Sequence, residues 1–168
     1  HGQLIALIAD YYRFTEDAQV LDESWVHVTK AVACLQSLLE EDGLLPISVS
    51  HEGYLAQPVH SYWDNFWALR GMRDAVDLAR VVGERETAER WEAIATRFAS
   101  ALFLSIEKTR AERNLDFIPG SIEWADFDPT ATANAIALLD VADGLDRNAV
   151  ERTFDRYLSN WRAKRSGV

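Results

Sequence analysis

The chain has 168 residues, and its 48% hydrophobic and 26% charged shares are typical of a folded globular protein rather than a disordered one. Its formal net charge of −10 argues against nucleic acid as the main partner, because phosphate binding needs a clustered positive field. No apolar run reaches the roughly 20 residues that cross a bilayer, and a single cysteine, Cys34, excludes a disulfide framework or a cysteine-rich metal site.

Apolar residues recur at helical spacing along most of the chain, which predicts an all-α fold. The predicted helices cover about residues 4–15, 18–41, 62–82, 84–110, 128–144 and 147–164. Thr15 and Asp17 are placed to cap the second helix, and Asp128 is placed to cap the fifth. Gly43 is placed to end the second helix in the left-handed conformation. Residues 47–49 carry the main strand-like pattern and suit a short ribbon.

The connections between these helices alternate between tight and long. Tight turns are predicted within each of three helical hairpins, and long loops over residues 44–59 and 111–127 join one hairpin to the next. All tight turns then lie at one end of the array. The long loops and the starts of the first, third and fifth helices lie at the other end. From connectivity alone we expect Gln3, Asp64 and Asp126 to gather there.

Residues 60–67, His-Ser-Tyr-Trp-Asp-Asn-Phe-Trp, place four aromatic rings and one acid at the start of the third helix. Apolar rings desolvate a carboxyl group and favour the protonated form that a general acid needs, so Asp64 is a candidate acid. Flat ring faces also suit the C–H faces of sugars. The structural alternative for Asp64 is a helix cap.

A second cluster of acids and rings, Glu-Trp-Ala-Asp-Phe-Asp over residues 123–128, precedes the fifth helix. Asp128 is the predicted N-cap, because Pro129 follows it. Glu123 and Asp126 are not at a capping position, so their side chains are available to line a cleft. Glycosidic hydrolysis requires paired carboxylates, one to protonate the leaving oxygen and one to activate water or attack directly.

The remaining polar residues are less informative. The histidines lack zinc-ligand spacing, so neither a metal nor a cofactor is predicted. Arg70 and Arg73 are expected to pair with Asp74 or Asp77 on a solvated helix face.

Together these segments resemble the (α/α)6 barrel of six-hairpin glycosidases, a superfamily that includes glucoamylases, trehalases and processing α-glucosidases. Residues 2–17 resemble the first helix of one such hairpin, whose turn often reads Thr-Gly-Asp, with Glu16 here in place of the glycine. Residues 61–66 resemble the Trp-Asp or Met-Asp segments that carry the general acid in trehalases and processing glucosidases. Residues 126–132 resemble the Asp-Phe-Asp-x-Thr loops of related bacterial proteins.

The resemblance implies antiparallel helical hairpins forming about half of an (α/α)6 toroid, in one helical domain over residues 1–168. A full toroid has six hairpins and this chain supplies about three, so we expect a fragment of a larger barrel. Such a half would expose the apolar sides of its inner helices, which predicts a homodimer or association with the remainder of the barrel. Asp64 is implied as the general acid, with Glu123 or Asp126 on the opposing wall. The expected substrate-binding residues are Gln3, His60, Tyr62, Trp63, Trp67 and Trp124.

The leading hypothesis is therefore a glycoside-hydrolase-like domain that binds an oligosaccharide, with no nucleic acid partner and no membrane span. One alternative is a non-catalytic helical-repeat scaffold that binds a partner protein. Another is a sugar epimerase or lyase on the same kind of toroid, which needs a histidine base such as His51 or His60.

Overall fold

The computed structural model describes residues 1–49 and 58–165. Over these residues the chain is all-helical, and the strand-like pairs are isolated bridges, so the predicted all-α class is confirmed. The helices are α1 (Gly2–Thr15), α2 (Ala18–Leu38), α3 (Tyr62–Val81), α4 (Arg85–Arg113), α5 (Pro129–Ala137) and α6 (Arg147–Arg165). His51, one of the two candidate bases, lies outside the described residues.

The helices are divided between two compact units. Unit 1 comprises His1–Pro46 and Asp64–Ala101, and unit 2 comprises Ile47–Trp63 and Leu102–Val168. α1 and α2 belong to unit 1, α5 and α6 belong to unit 2, and α3 and α4 each contribute to both.

In unit 1, α1 and α2 form an antiparallel hairpin joined by Glu16 and Asp17. The Asp17 carboxylate accepts hydrogen bonds of 3.1 Å from the backbone N–H groups of Gln19 and Val20, so the predicted N-cap is confirmed. Glu16 ends α1 in the left-handed conformation, with φ 54°, and its N–H donates to the carbonyl of Tyr12 at 2.7 Å. A cap at each side of the bend explains why the turn is so short.

Two glycines let α1 approach α3 closely. A Cβ atom on Gly71 would lie 2.6 Å from the Cα of Gly2, and a Cβ atom on Gly2 would overlap the backbone carbonyl of Trp67. The two helices therefore pack backbone against backbone at this point. The apolar core of unit 1 around them includes Ile5, Val28, Val32, Leu35, Phe66, Leu69, Met72 and Leu78.

An ion cluster around the buried Asp74 also joins α1 to α3. Asp74 is buried and accepts hydrogen bonds from Arg13 at 2.5 Å and from Arg70 at 2.6 Å, and Arg70 also donates to Asp10 at 2.7 Å. Burial raises the pKa of Asp74, and the hydrogen bonds from the two guanidinium groups oppose that rise. The predicted pairing of Arg70 with Asp74 is confirmed. Its predicted place on a solvated face is wrong, because α1 covers this side of α3.

α2 ends at Leu38, before the predicted boundary at residue 41. Residues 39–44 leave the helix and bury Leu44, so tertiary packing rather than local preference sets this end. Gly43 has the predicted positive φ, 83°, but it lies in this turn, where its N–H donates to the carbonyl of Glu40 at 2.9 Å. Its predicted role as the helix cap is wrong.

α5 ends at Ala137, well before the predicted boundary at residue 144. The N–H groups of Leu138 and Leu139 both donate to the carbonyl of Asn134, at 3.1 and 2.9 Å, which closes the helix. Leu139 and Val141 are both buried in the connection that follows, where the N–H of Val141 donates to the carbonyl of Ala135 at 2.9 Å. The predicted tight turn between the fifth and sixth helices is wrong, because residues 138–146 form a longer connection.

Candidate functional site

In unit 2 the start of α3 lies against the segment that leads to α5. Ser61 and Ser121 form an antiparallel bridge, and backbone hydrogen bonds of 2.9 and 3.2 Å on either side pair residues 60–62 with residues 120–122. This pairing brings together two of the sequence clusters, the one around residue 60 and the one around residue 123. We call the residues that result, His60, Arg113, Glu123 and Trp124, the loop site.

Within the loop site both carboxylate oxygens of Glu123 contact His60. Oε2 accepts a hydrogen bond of 2.9 Å from the backbone N–H of His60, and Oε1 lies 2.5 Å from Nδ1 of its ring. Partial burial raises the pKa of Glu123, but the hydrogen bonds from the ring and the backbone of His60 outweigh it, so the pKa lies below its usual value. An ionised carboxylate only accepts, so the His60 ring carries a proton on Nδ1.

This pairing determines the chemistry that each residue can perform. An ionised Glu123 suits the role of acceptor rather than that of proton donor. A histidine whose Nδ1–H is held by a carboxylate is oriented for proton transfer through Nε2. Arg113 donates a hydrogen bond of 3.2 Å to the backbone carbonyl of Glu123 and so helps to hold the backbone at this residue in place. Sequence reasoning missed Arg113, since an exposed arginine in the last turn of a helix gives no signal of its own.

The tryptophans of the two clusters present ring surface. Trp124 directly follows Glu123 and is 46% exposed. Trp63 in unit 2 and Trp67 in unit 1 are each partly exposed. Trp124, which belongs to the loop site, is therefore the most exposed of these three tryptophans.

Tyr62, in contrast, is a core residue of unit 2. It is fully buried, and its hydroxyl is hydrogen-bonded to Ser105 at 3.0 Å and to Thr109 at 2.9 Å, both on α4. A ring without exposed surface has no face to offer a sugar. We therefore leave Tyr62 out of the binding surface, although the sequence placed it there.

The acids that follow Trp124 hold the segment in shape. Asp128 accepts hydrogen bonds of 3.0 and 3.2 Å from two backbone N–H groups in the first turn of α5, which confirms the predicted N-cap. Asp126 accepts a hydrogen bond of 2.6 Å from the Ser121 hydroxyl. Its second carboxylate oxygen lies so close to Gly120 that a Cβ there would be 2.8 Å away. Asp126 thus has a structural duty that the sequence did not reveal, and its catalytic role stays a prediction.

The other predicted site residues belong to unit 1. Asp64 is partly exposed in the first turn of α3, where an acid interacts favourably with the helix dipole. Gln3 is exposed on α1. The gathering of Gln3, Asp64 and Asp126 at one end of the molecule stays a prediction.

Among residues 1–49 and 58–165, no helix combines the length and apolar character needed to cross a membrane. In the same part of the chain, no group of three or more His, Cys, Asp or Glu side chains is arranged to hold a metal ion. Comparison of the chain with protein-family models, curated proteins and solved structures finds no match.

Proposed function

We propose that the chain is part of a glycoside-hydrolase-like domain, about half of an (α/α)6 toroid, and that it binds an oligosaccharide at the loop site. The observation that carries the proposal is the exposed Trp124, which directly follows Glu123 in the chain, together with the contact between Glu123 and His60. Sugar recognition combines a flat apolar ring, which covers C–H groups, with a few fixed polar groups, which bind hydroxyls. The loop site supplies both within adjacent residues.

In this proposal the chemistry is the hydrolysis of a glycosidic bond. One group protonates the leaving oxygen while another activates water or attacks the anomeric carbon. Asp64 is the proposed general acid. Glu123 and Asp126 are the candidates for the second role, and the lowered pKa of Glu123 suits an acceptor.

Binding is tested by calorimetric titration of the chain with a panel of oligosaccharides. We expect Trp124→Ala to weaken binding by about tenfold, which is the size of one lost ring-stacking contact. Trp161→Ala is the matched control, because Trp161 on α6 is 45% exposed and lies outside the loop site. A wild-type chain that binds none of the saccharides, or equal losses in the two variants, would refute the binding proposal.

The acid assignment has a separate test based on the leaving group. Asp64→Asn should lower kcat for a disaccharide by about 10²–10⁴-fold, the usual contribution of a general acid. The loss should be much smaller for a dinitrophenyl glycoside, because that leaving group departs without protonation. Equal losses for both substrates, or full activity on the disaccharide, would remove Asp64 from the mechanism.

The His60–Glu123 pair favours a second candidate, a sugar epimerase or lyase in which Nε2 of His60 takes a proton from carbon. Such an enzyme exchanges a substrate C–H hydrogen with solvent, and a hydrolase does not. Incubation in D₂O followed by mass spectrometry of the sugar distinguishes the two. Deuterium incorporation that is lost in His60→Gln would establish this candidate in place of the hydrolase.

The exposed apolar side of α1 favours a third candidate, the non-catalytic protein-binding scaffold. Phe14 on that side is 89% exposed. A scaffold would bind no saccharide and would retain a protein partner in a pull-down that Phe14→Glu abolishes. Saccharide binding that depends on Trp124 would exclude it.

A further inference from the structure

α1 carries a stripe of large apolar side chains that remains exposed. The stripe consists of Leu4, Leu7, Tyr11 and Phe14. Spacings of three and four residues place all four on one side of the helix, over about 15 Å. Contiguous apolar surface of this kind is rare on monomeric proteins. The α1 stripe therefore has the pattern of a surface that packs against another helix.

α6 exposes a second stripe of the same kind. Its buried residues, Ala149 and Thr153, lie in its first half, and every residue from 155 to 165 is exposed. The α6 stripe consists of Tyr157, Leu158 and Trp161. A helical segment without a buried face gains little stability from packing, so the second half of α6 lacks the contact that usually stabilises a helix.

The two stripes lie in surroundings of opposite charge. α6 contains six basic and two acidic residues, a net charge of +4 in a chain whose net charge is −10. Residues 1–46, which form the α1–α2 hairpin and the turn after it, contain eight acidic and two basic residues, a net charge of −6. Glu16 and Asp17 directly follow the α1 stripe. Arg162 directly follows the α6 stripe.

We propose that the α6 stripe of one molecule packs on the α1 stripe of a second copy of the chain. A second copy supplies a partner for both stripes at once, and it matches a basic helix to an acidic hairpin. The contact joins two different surfaces, so it is heterologous and builds either a closed ring or an open chain of copies. It is independent of the proposed saccharide binding.

The association is measured by sedimentation velocity of the whole chain over a wide range of protein concentration. We expect wild-type chains to associate, and we expect higher salt to weaken the association because it screens the opposite charges. Phe14→Glu and Trp161→Glu should each raise the dissociation constant by about thirtyfold, the size of one interface hot spot. Leu104→Glu, at an exposed position on α4 outside both stripes, should leave it unchanged.

A mixing experiment tests which surfaces meet. The Phe14→Glu chain keeps an intact α6 stripe, and the Trp161→Glu chain keeps an intact α1 stripe. At a protein concentration too low for either variant to associate alone, a mixture of the two should therefore form a one-to-one heterodimer. Circular dichroism of each variant checks that the helices remain folded.

Three results would overturn the proposal. The first is a wild-type chain that stays monomeric at every concentration. The second is association that only one of the two glutamate variants abolishes, since this would place like surfaces together. The third is a mixture of the two variants that fails to form the heterodimer.

Discussion

The guanidinium of Arg13 donates a hydrogen bond of 2.5 Å to the buried carboxylate of Asp74, 61 residues further along the chain. Arg70 donates to the other carboxylate oxygen at 2.6 Å. The acid is therefore held between a guanidinium of α1 and one of its own helix. A buried charge remains in a folded protein only while such partners are present, so this cluster makes the packing of α1 on α3 sensitive to a single residue.

We expect Asp74→Ala to lower the free energy of unfolding by about 1–3 kcal/mol, because it leaves the partly buried Arg70 guanidinium short of a hydrogen-bond partner. The change removes the carboxylate that two guanidinium groups face. Urea denaturation followed by circular dichroism measures the loss. Asp77→Ala is the control, because Asp77 is exposed on the same helix and lies 3.4 Å from Arg13 and 3.5 Å from Arg80. This variant should lower the free energy of unfolding by less than about 1 kcal/mol. Similar losses in both variants would contradict a buried cluster.

The pairing of Glu123 with His60 predicts a dependence of stability on pH. The pKa of Glu123 lies below its usual 4.5 in the folded state, because the hydrogen bonds from His60 outweigh the effect of burial. The folded state therefore favours the ionised form. The resulting stabilisation is fully present above about pH 4.5 and is lost as the pH falls through the folded-state pKa.

The comparison of wild type with Glu123→Gln isolates this contribution. The difference in their free energies of unfolding should shrink as the pH falls below about 4.5. Chemical denaturation at a series of pH values measures it. Glu112→Gln is the control, because Glu112 is exposed and its contact with Lys108 is 3.9 Å long. A difference that grows as the pH falls below about 4.5 would show that the assigned direction is wrong.

Tyr62→Phe tests the core role of the Tyr62 hydroxyl. The variant removes one buried oxygen that is hydrogen-bonded to Ser105 and Thr109. We expect a loss of about 1–2 kcal/mol in the free energy of unfolding, because buried polar partners lose a hydrogen bond. Tyr157→Phe, on the exposed half of α6, should change it by less than about 0.5 kcal/mol. Weakened saccharide binding without a stability loss would instead place Tyr62 at the ligand.

Gly71→Ala tests the backbone contact between α1 and α3. The new methyl group would overlap Gly2, so the helices must separate, and we expect a loss of about 1–3 kcal/mol in thermal or urea unfolding. Gly83→Ala is the comparison, because its methyl group would contact no other atom while the backbone there has φ 86°. The free energy of unfolding should fall by about 1 kcal/mol, from backbone strain alone. An unchanged stability of Gly71→Ala would mean that the helices are not in such close contact.

Features with local causes were predictable from the sequence. The caps at Asp17 and Asp128 follow from short-range chemistry, and the structure confirms them. The predicted ends of the second and fifth helices are wrong, because distant packing decides them. The residues after these helices, Leu44, Leu139 and Val141, are buried in the core. The periodicity of a short sequence window does not show which other segments cover a residue.

The same distinction applies to the candidate site. Both clusters were visible as runs of acids and rings, but the sequence did not reveal that Glu123 contacts His60, 63 residues earlier. That contact depends on backbone pairing between residues 60–62 and 120–122, which has no side-chain signature. The burial of Asp74 was missed for a similar reason, since it depends on where α1 packs.

The Ser61–Ser121 bridge has a consequence for motion. Backbone hydrogen bonds on both sides of the bridge join the start of α3 to the segment before α5. Neither segment can move away unless these hydrogen bonds break. The amide hydrogens of Tyr62 and Ile122 should accordingly exchange with solvent deuterium at matching rates, as parts of one cooperative opening unit. A ligand whose binding displaces the segment around Trp124 would therefore have to supply the free energy that opens the whole unit.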